Sequence, residues 1–97
     1  MEIAYRLEGL EFEWDGNKAR SNVEKHGVTF EEAAEVFLDP FYVVGDAAVN
    51  REAREFALGY STVDRLLLVV HIERDISIRI ISARVATRIE RSLYEQS

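Results

Sequence analysis

The sequence predicts an α+β protein in which helices pack on one face of an antiparallel β-sheet. Helix-starting signals introduce two segments in the first half of the chain and one near its carboxyl end. Two segments rich in Ile, Leu and Val lie close together in the second half and predict a β-hairpin. The order of the elements does not suggest parallel βαβ units. Because 97 residues suit one domain, we predict a single domain spanning residues 1–97.

The first elements follow from alternation and capping. Residues 10–14 alternate between apolar and polar side chains, which predicts a short strand. Asp15 can accept a hydrogen bond from the first turn of a helix, which we predict over residues 16–26. Gly27 follows at the position where a left-handed conformation ends a helix without steric cost.

The second helix begins with a capping-box signature. The Thr29 hydroxyl can accept a hydrogen bond from a free backbone amide, and the Glu32 side chain can reach back to the start of the helix. Asp39-Pro40 ends this helix, because the residue before a proline disfavours helical geometry. Four apolar side chains at helical spacing form the face predicted to pack on the core: Phe30, Ala33, Ala34 and Phe37.

The second half predicts three or four antiparallel strands and a last helix. Residues 41–44 favour β-structure, residues 45–50 form a polar loop, and strands are predicted over residues 56–60, 65–72 and 76–83. Thr87 and Glu90 form a second capping box. The helix that it starts runs to about residue 96, with Ile89 and Leu93 facing inward.

The last hairpin decides which side chains share a face. A loop of three residues, 73–75, places residue 69 opposite 79 and residue 71 opposite 77. Arg65, His71 and Arg79 then lie on one face. A slip of one residue in either strand would separate them. The opposite face is uniformly apolar and is predicted to form the core side: Leu66, Leu68, Val70, Ile72, Ile76, Ile78 and Ile80.

Such a face has the groups needed to cleave RNA without a metal ion. Attack of a ribose 2′-hydroxyl on the adjacent phosphate builds negative charge, which Arg65 and Arg79 could stabilise. His71 could move a proton to or from the reacting oxygens, or it could be a half-buried structural histidine. Arg79 lies in the middle of an Ile-rich strand and therefore needs a partner or a ligand.

The first helix offers further basic groups. Lys18, Asn22 and either Lys25 or His26 fall near one helix face, at spacings of four and seven or eight residues. This face could contact phosphate beside the sheet. It could equally be a solvated face near a helix carboxyl end, where basic side chains meet the helix dipole favourably.

Composition excludes several classes of site. The chain has no cysteine, so it has neither a disulfide nor a thiolate metal site, and we expect a cytoplasmic protein without a membrane span. Two histidines 45 residues apart and the absence of a glycine-rich phosphate loop argue against a metal or cofactor. The net charge is −6, but residues 65–97 carry 6 arginines and 4 acidic residues. This local excess of arginine can bind phosphate, or can pair with nearby glutamates.

Two blocks of residues together resemble the BrnT family of bacterial ribonuclease toxins. The first block is Phe12-Glu13-Trp14-Asp15, Lys18, Asn22, Lys25-His26-Gly27-Val28, Phe30, Glu32-Ala33, Phe37 and Asp39-Pro40. The second block is Arg54, Gly59, Arg65-Leu66-Leu67, Val69-Val70-His71, Arg74, Arg79-Ile80-Ile81-Ser82-Ala83-Arg84, Ala86, Arg88, Glu90 and Tyr94. The segment before Phe12 is longer than the family pattern and can add a strand or shield a surface.

The resemblance implies a RelE-like fold and a toxin that cuts RNA without a metal ion. It implies a BrnA-like antitoxin that blocks the toxin and carries the DNA-binding part, so that contact with DNA is only indirect. The resemblance does not decide whether the toxin forms a homodimer within that complex. The implied catalytic residues are Arg65, His71 and Arg79, and the implied substrate-binding residues are Lys25, His26 and Arg84.

Two other functions stay open at this stage. Family toxins are often basic, whereas this chain has a net charge of −6. A relative that keeps the fold and the antitoxin partner but does not cut RNA would fit that charge. The third alternative is a small interaction domain unrelated to toxins.

Overall fold

The computed structural model describes residues 1–47 and 53–97. No helix in these two ranges is long and apolar enough to cross a membrane. A single 3-10 turn, Val36–Leu38, follows the second helix. The other elements, in chain order, are β1 (Glu2–Leu7), β2 (Leu10–Asp15), α1 (Gly16–His26), α2 (Phe30–Glu35), β3 (Val43–Asp46), β4 (Glu55–Tyr60), β5 (Leu66–Arg74), β6 (Ser77–Val85) and α3 (Arg88–Glu95).

The predicted bounds of the first helix are confirmed. The Asp15 side chain accepts a hydrogen bond from the backbone amide of Lys18 at 3.1 Å, which caps the amino end of α1. Gly27 has φ +68°, and its amide donates to the Val23 carbonyl at 2.9 Å. This left-handed residue ends α1 and turns the chain toward α2.

The second helix starts as predicted, but its glutamate has a different partner. The Thr29 hydroxyl accepts a hydrogen bond from the Glu32 amide at 3.0 Å. The predicted contact of the Glu32 side chain with the start of the helix is replaced by hydrogen bonds from Ser61 and Arg65. The ion pair of Glu32 with Arg65, which is distant in sequence, therefore takes the place of the local capping contact. Phe30, Ala33 and Ala34 are buried as expected, but α2 ends at Glu35, before the predicted end at Asp39-Pro40. Phe37 lies in the 3-10 turn and is partly buried against the core.

The sheet is mixed, which corrects the predicted antiparallel sheet. Its strand order is β1-β2-β6-β5-β4-β3. All neighbours are antiparallel except β2 and β6, which run parallel and pair Phe12 with Ile78 and Glu13 with Arg79. The β1–β2 hairpin turns at Glu8 and Gly9, which have φ of 49° and 82°, and adds to the free edge of β6. The segment before Phe12 thus adds a strand, one of the two roles expected for it, and Ile3, Tyr5 and Leu7 of β1 pack against the core.

The core lies between the sheet and the first two helices. Trp14 of β2 packs edge-on against Phe30 of α2, with ring centroids 5.7 Å apart. The same core contains Leu67 and Val69 of β5 and Ile80 of β6, each 1% exposed or less. These side chains fix which face of the sheet points toward the helices.

The register of the last hairpin differs from the prediction. Its loop has two residues rather than three, because Arg74 pairs directly with Ser77. A bulge then shifts the pairing between His71 and Val70, so that His71 pairs with Ile80 and Val70 with Ser82. The predicted faces of β6 are correct for Ile78 and Ile80, whereas Ile76, predicted on the core side, lies in the turn and is 85% exposed. The predicted faces of β5 are inverted. Leu67, Val69 and His71 point toward the core rather than away from it.

The last helix begins as predicted, but the face that packs on the protein is not the predicted one. Both hydrogen bonds of the Thr87–Glu90 capping box are present. Ile89 and Leu93, predicted to face inward, are 83% and 44% exposed. Contacts with the rest of the protein are instead made by polar and aromatic side chains, such as Tyr94, whose ring packs edge-on against Tyr60. The predicted loop over residues 45–50 begins within β3, and its residues 48–50 lie outside the described residues.

Candidate functional site

Arg65 is bound to α2 at the start of the hairpin. Its Nε donates to Glu32 Oε2 at 2.9 Å, and its Nη2 donates both to Glu32 Oε1 and to the Gly27 carbonyl, the latter at 3.1 Å. Ser61 Oγ donates to the same carboxylate at 2.8 Å. The guanidinium is therefore neutralised and holds the end of α1 against the sheet.

His71 is buried at the other end of β5. Its side chain is 1% exposed and packs edge-on against Phe37, with ring centroids 5.1 Å apart. Burial lowers the pKa of the imidazole below its usual value of 6.5, although the Val69 backbone and the charges of Glu55 and Glu73 oppose this effect. Six residues of extended chain, about 20 Å, separate His71 from Arg65.

Arg79 points to the opposite face of the sheet. Because Ile80 and His71 are cross-strand partners on the core face, the neighbouring Arg79 faces away from the helices. Its Nη1 donates to Glu13 Oε2 at 2.8 Å, and both Nη atoms donate to Glu2. Hydrogen bonds to Glu2 and Glu13 raise the pKa of Arg79. The partner required by an arginine in an Ile-rich strand is thus a pair of carboxylates.

Arg84 is also neutralised within the protein. Its Nη1 and Nη2 donate to the two carboxylate oxygens of Glu90 at 2.8 and 2.7 Å, which joins β6 to α3. This bidentate pair uses the same hydrogen-bond donors that a phosphate would need.

The predicted catalytic surface is therefore wrong in its geometry. Arg65 and His71 share the helix-facing side of the sheet as predicted, but they are about 20 Å apart along the strand, and Arg79 lies on the other face. The physical reason is the two-residue loop, which shifts the pairing by three residues, so that His71 lies opposite Ile80 instead of Ser77. Catalytic roles for these three residues stay predictions, but they cannot act together on one phosphate in this arrangement.

Carboxylates held by arginines make stability depend on pH. Hydrogen bonds from Arg65, and then from Ser61, lower the pKa of Glu32 below its usual value of 4.5. The unfolded state therefore binds more protons in this range, so stability is present above pH 4.5 and is lost as the pH falls through the lower folded pKa. We expect urea denaturation to show a steeper loss of stability below pH 4.5 in the native protein than in Glu32→Gln.

The control for this comparison is Glu95→Gln. Glu95 is exposed at the end of α3, so its variant should follow the native protein at every pH. A Glu32→Gln curve parallel to that of the native protein would contradict the assigned role of the Arg65–Glu32 pair.

Asn22 fixes the position of α1 beside β6. Strand β2 leaves the sheet at Asp15, so the edge of β6 beyond Arg79 faces α1 instead of another strand. The buried Asn22 carboxamide takes the place of that strand. Its Nδ2 donates to the carbonyls of Ala83 at 2.8 Å and Val28 at 2.9 Å, and its Oδ1 accepts from the Ala83 amide at 3.1 Å.

A basic concavity lies between α1 and β6. Its volume is about 170 Å³. The β6 wall includes the bulge, where Ile81 has no cross-strand partner. We call this concavity the α1–β6 groove. Its lining residues are Lys18, Ser21, Asn22, Lys25, His26, Ile81 and Ser82.

The groove has cationic groups that the protein does not neutralise. Lys18, Lys25 and His26 are exposed, and no ion pair between described residues includes them. A larger concavity of about 480 Å³ near β3 and β4 includes carboxylates in its lining, which would repel a phosphate. The α1–β6 groove is therefore the better candidate for an anionic ligand.

Sequence reasoning identified only part of this groove. The spacing of Lys18, Asn22 and Lys25 indicates one face of α1, and Ser21 lies on the same face. No sequence pattern indicates Ser82, because its place beside α1 depends on the bulge and on the point where β2 leaves the sheet.

Comparison with known proteins agrees with this fold and with the resemblance in the sequence. Residues 14–90 match the family model described as ribonuclease toxin, BrnT, of type II toxin-antitoxin system. The crystal structure of the Brucella abortus ribonuclease toxin BrnT is 26% identical with a TM-score of 0.63, and the alignment covers 77% of this chain and 94% of that one. No curated protein gives a significant match. Because the family model matches most of the sequence, the chain belongs to the BrnT family of type II toxin-antitoxin toxins.

Proposed function

We propose that this chain is an endoribonuclease toxin that cleaves RNA in its α1–β6 groove without a metal ion. The observation that carries the proposal is the concentration of Lys18, Lys25 and His26, none of them in an ion pair between described residues, in one concavity of an acidic protein. Membership of a family described as ribonuclease toxins supports the same activity.

The groove supplies the groups that phosphodiester cleavage needs. The ribose 2′-oxygen attacks the adjacent phosphorus while the bond from phosphorus to the 5′-oxygen breaks. Lys18 and Lys25 would stabilise the additional negative charge on the phosphate. His26 would take the proton from the 2′-hydroxyl or return one to the leaving oxygen, as an imidazole can do near neutral pH. DNA lacks the 2′-hydroxyl, so this reaction selects RNA.

The arginines in ion pairs would act through position rather than chemistry. Arg65 binds the Gly27 carbonyl directly after His26, so it would hold the end of α1 that carries Lys25 and His26. Arg79 and Arg84 would join β6 to β1 and β2 on one side and to α3 on the other. Of the six site residues predicted from the sequence, the proposal keeps Lys25 and His26 at the substrate.

A type II toxin requires an antitoxin. We propose that this antitoxin is BrnA-like and carries the DNA-binding part of the complex. The exposed Ile89 and Leu93 on α3 support a protein-binding surface. We also propose the cytoplasm as the place of action, because the RNA substrate is there, and we assign the fold to the RelE-like group.

A second candidate function is an inactive relative that only binds the antitoxin. The neutralisation of Arg65, Arg79 and Arg84 by carboxylates favours it, because these guanidinium groups are not available to RNA.

Cleavage of RNA by the purified protein separates the two functions. We expect fragments that carry a 2′,3′-cyclic phosphate, formed equally well with an excess of EDTA, and growth arrest when the protein is expressed alone. Intact RNA, with a tight antitoxin complex and normal growth, would assign the chain to the inactive class. Cleavage that EDTA abolishes would contradict the metal-independent mechanism.

A further inference from the structure

We propose that Glu55, His71 and Glu73 form a binding site for a divalent ion of the first transition series, with Zn²⁺ as the best fit. Each residue offers one ligand atom, and these atoms all lie within 4.8 Å of one another. The site goes beyond the proposed ribonuclease activity and is formed by β4 and β5, whereas the groove lies between α1 and β6.

The sheet brings the three ligands to one face. Glu55 and His71 are cross-strand partners, so their side chains point the same way. Glu73 follows His71 by two residues on the same strand and therefore shares that face. The backbone thus sets the positions of all three groups, and a bound ion would join β4 to β5.

The histidine is arranged as a ligand rather than as one half of an ion pair. Its Nε2 lies 3.6 Å from Glu55 Oε1, which is too long for a hydrogen bond. Two ligand atoms bound at about 2.0–2.2 Å to a tetrahedral Zn²⁺ lie roughly 3.4 Å apart. Small rotations of the two carboxylates, both at the protein surface, would bring Glu73 to the same ion.

Burial pre-orients the imidazole at this site. His71 is 1% exposed, and the Phe37 ring packs edge-on against it. Its Nδ1 is buried without a hydrogen-bond partner, although buried polar atoms nearly always have one. An ion bound at Nε2, the ring nitrogen that faces Glu55, would give this buried ring a strong polar contact.

The surroundings allow an ion to enter and stay. Glu55 and Glu73 line the concavity of about 480 Å³, which opens to solvent and could supply a water as the fourth ligand. The two carboxylates match the charge of a divalent cation. Asp46 and Arg54 line the same concavity, and their opposite charges leave its net charge unchanged.

The donor set selects the class of ion. One imidazole nitrogen and two carboxylate oxygens suit Zn²⁺ and its neighbours Co²⁺ and Ni²⁺. Mg²⁺ and Ca²⁺ prefer six or more oxygen ligands, which this site does not offer. Mg²⁺ is therefore the appropriate negative control.

The test is calorimetric titration of the untagged, chelator-treated protein with ZnCl₂. We expect saturable binding of one equivalent, a rise in Tm of several degrees at saturation, and no binding of MgCl₂. Addition of Co²⁺ should produce the visible absorption of a four-coordinate ion. Failure of Zn²⁺ to bind, or binding only in excess of one equivalent without saturation, would overturn the proposal.

Variants locate the ion. In the double variant E55Q/E73Q we expect Zn²⁺ affinity to fall by about tenfold or more, since two of three ligands lose their charge. The matched control E8Q/E95Q removes the same charge from exposed positions and should bind as the native protein does. His26→Gln should also bind normally. Equal loss in E8Q/E95Q or in His26→Gln, or unchanged binding in E55Q/E73Q, would place the ion elsewhere and refute the site. The Zn²⁺ titration does not measure RNA cleavage, so its failure would leave the proposed function intact.

Discussion

Replacing Asn22 with alanine will lower the free energy of unfolding by about 3 kcal/mol, because three backbone groups lose a buried partner. The carboxamide bonds both the amide and the carbonyl of Ala83, and also the Val28 carbonyl. In a chain of this size, a loss of that order lowers Tm by roughly 12–20 °C. Thermal and urea denaturation followed by circular dichroism measure both quantities.

Asn22→Asp sharpens the same prediction. An aspartate has nearly the shape of asparagine and can still accept from the Ala83 amide, but its second oxygen would face two carbonyl oxygens. It should therefore be destabilising near neutral pH in spite of its similar shape. Asn17→Ala removes an exposed amide from the same helix and serves as the control. Equal stability of Asn22→Ala and Asn17→Ala would contradict the role given to Asn22.

Removing the basic groups of the α1–β6 groove will abolish most of the ribonuclease activity without unfolding the protein. For the triple variant K18A/K25A/H26Q we expect the cleavage rate to fall by about 10²–10⁴-fold, because charge stabilisation and proton transfer are lost together. The side chains are exposed, so Tm should change little. Initial rates on a defined RNA, measured with matched protein concentrations, give the comparison.

The control for the groove variant is R20A/R88A. It removes the same number of lysine or arginine charges from exposed positions outside the groove lining. If activity depended only on net charge, both variants would lose it to the same extent. A triple variant that still cleaves RNA at the native rate would show that the groove is not the site.

Local signals were sufficient to predict most of the elements. Asp15, Gly27 and the Thr87–Glu90 box each act within one helical turn, and the structure places the helix ends where these residues predict. Such contacts depend on neighbours in sequence, which a pattern can reveal.

Long-range pairing could not be read from the same patterns. The length of the hairpin loop decided the faces of β5, and a run of Leu and Val fits either face equally well. The bulge at Ile81 places both Ile80 and Ala83 in the core. The parallel pairing of β2 with β6 joins strands far apart in the sequence, which the alternation within each strand does not reveal.

The candidate sites were predicted in part for the same reason. Lys18 and Lys25 lie on one helix, so their shared face followed from helical spacing, whereas the β6 wall of the groove did not. The absence of a metal site was inferred from two histidines far apart in sequence. Glu55 meets His71 only through strand pairing, which that reasoning did not include.

The most direct measurement of where RNA binds is an NMR titration of the ¹⁵N-labelled protein with an oligonucleotide whose 2′-hydroxyls are methylated, so that it cannot be cut. The α1–β6 groove predicts saturable shifts of amides in residues 18–27 and 81–83, with the surface around Arg79 and Glu13 unaffected. Shifts confined to the Arg79 side of the sheet, or the absence of any shift at saturating RNA, would contradict the groove as the RNA site.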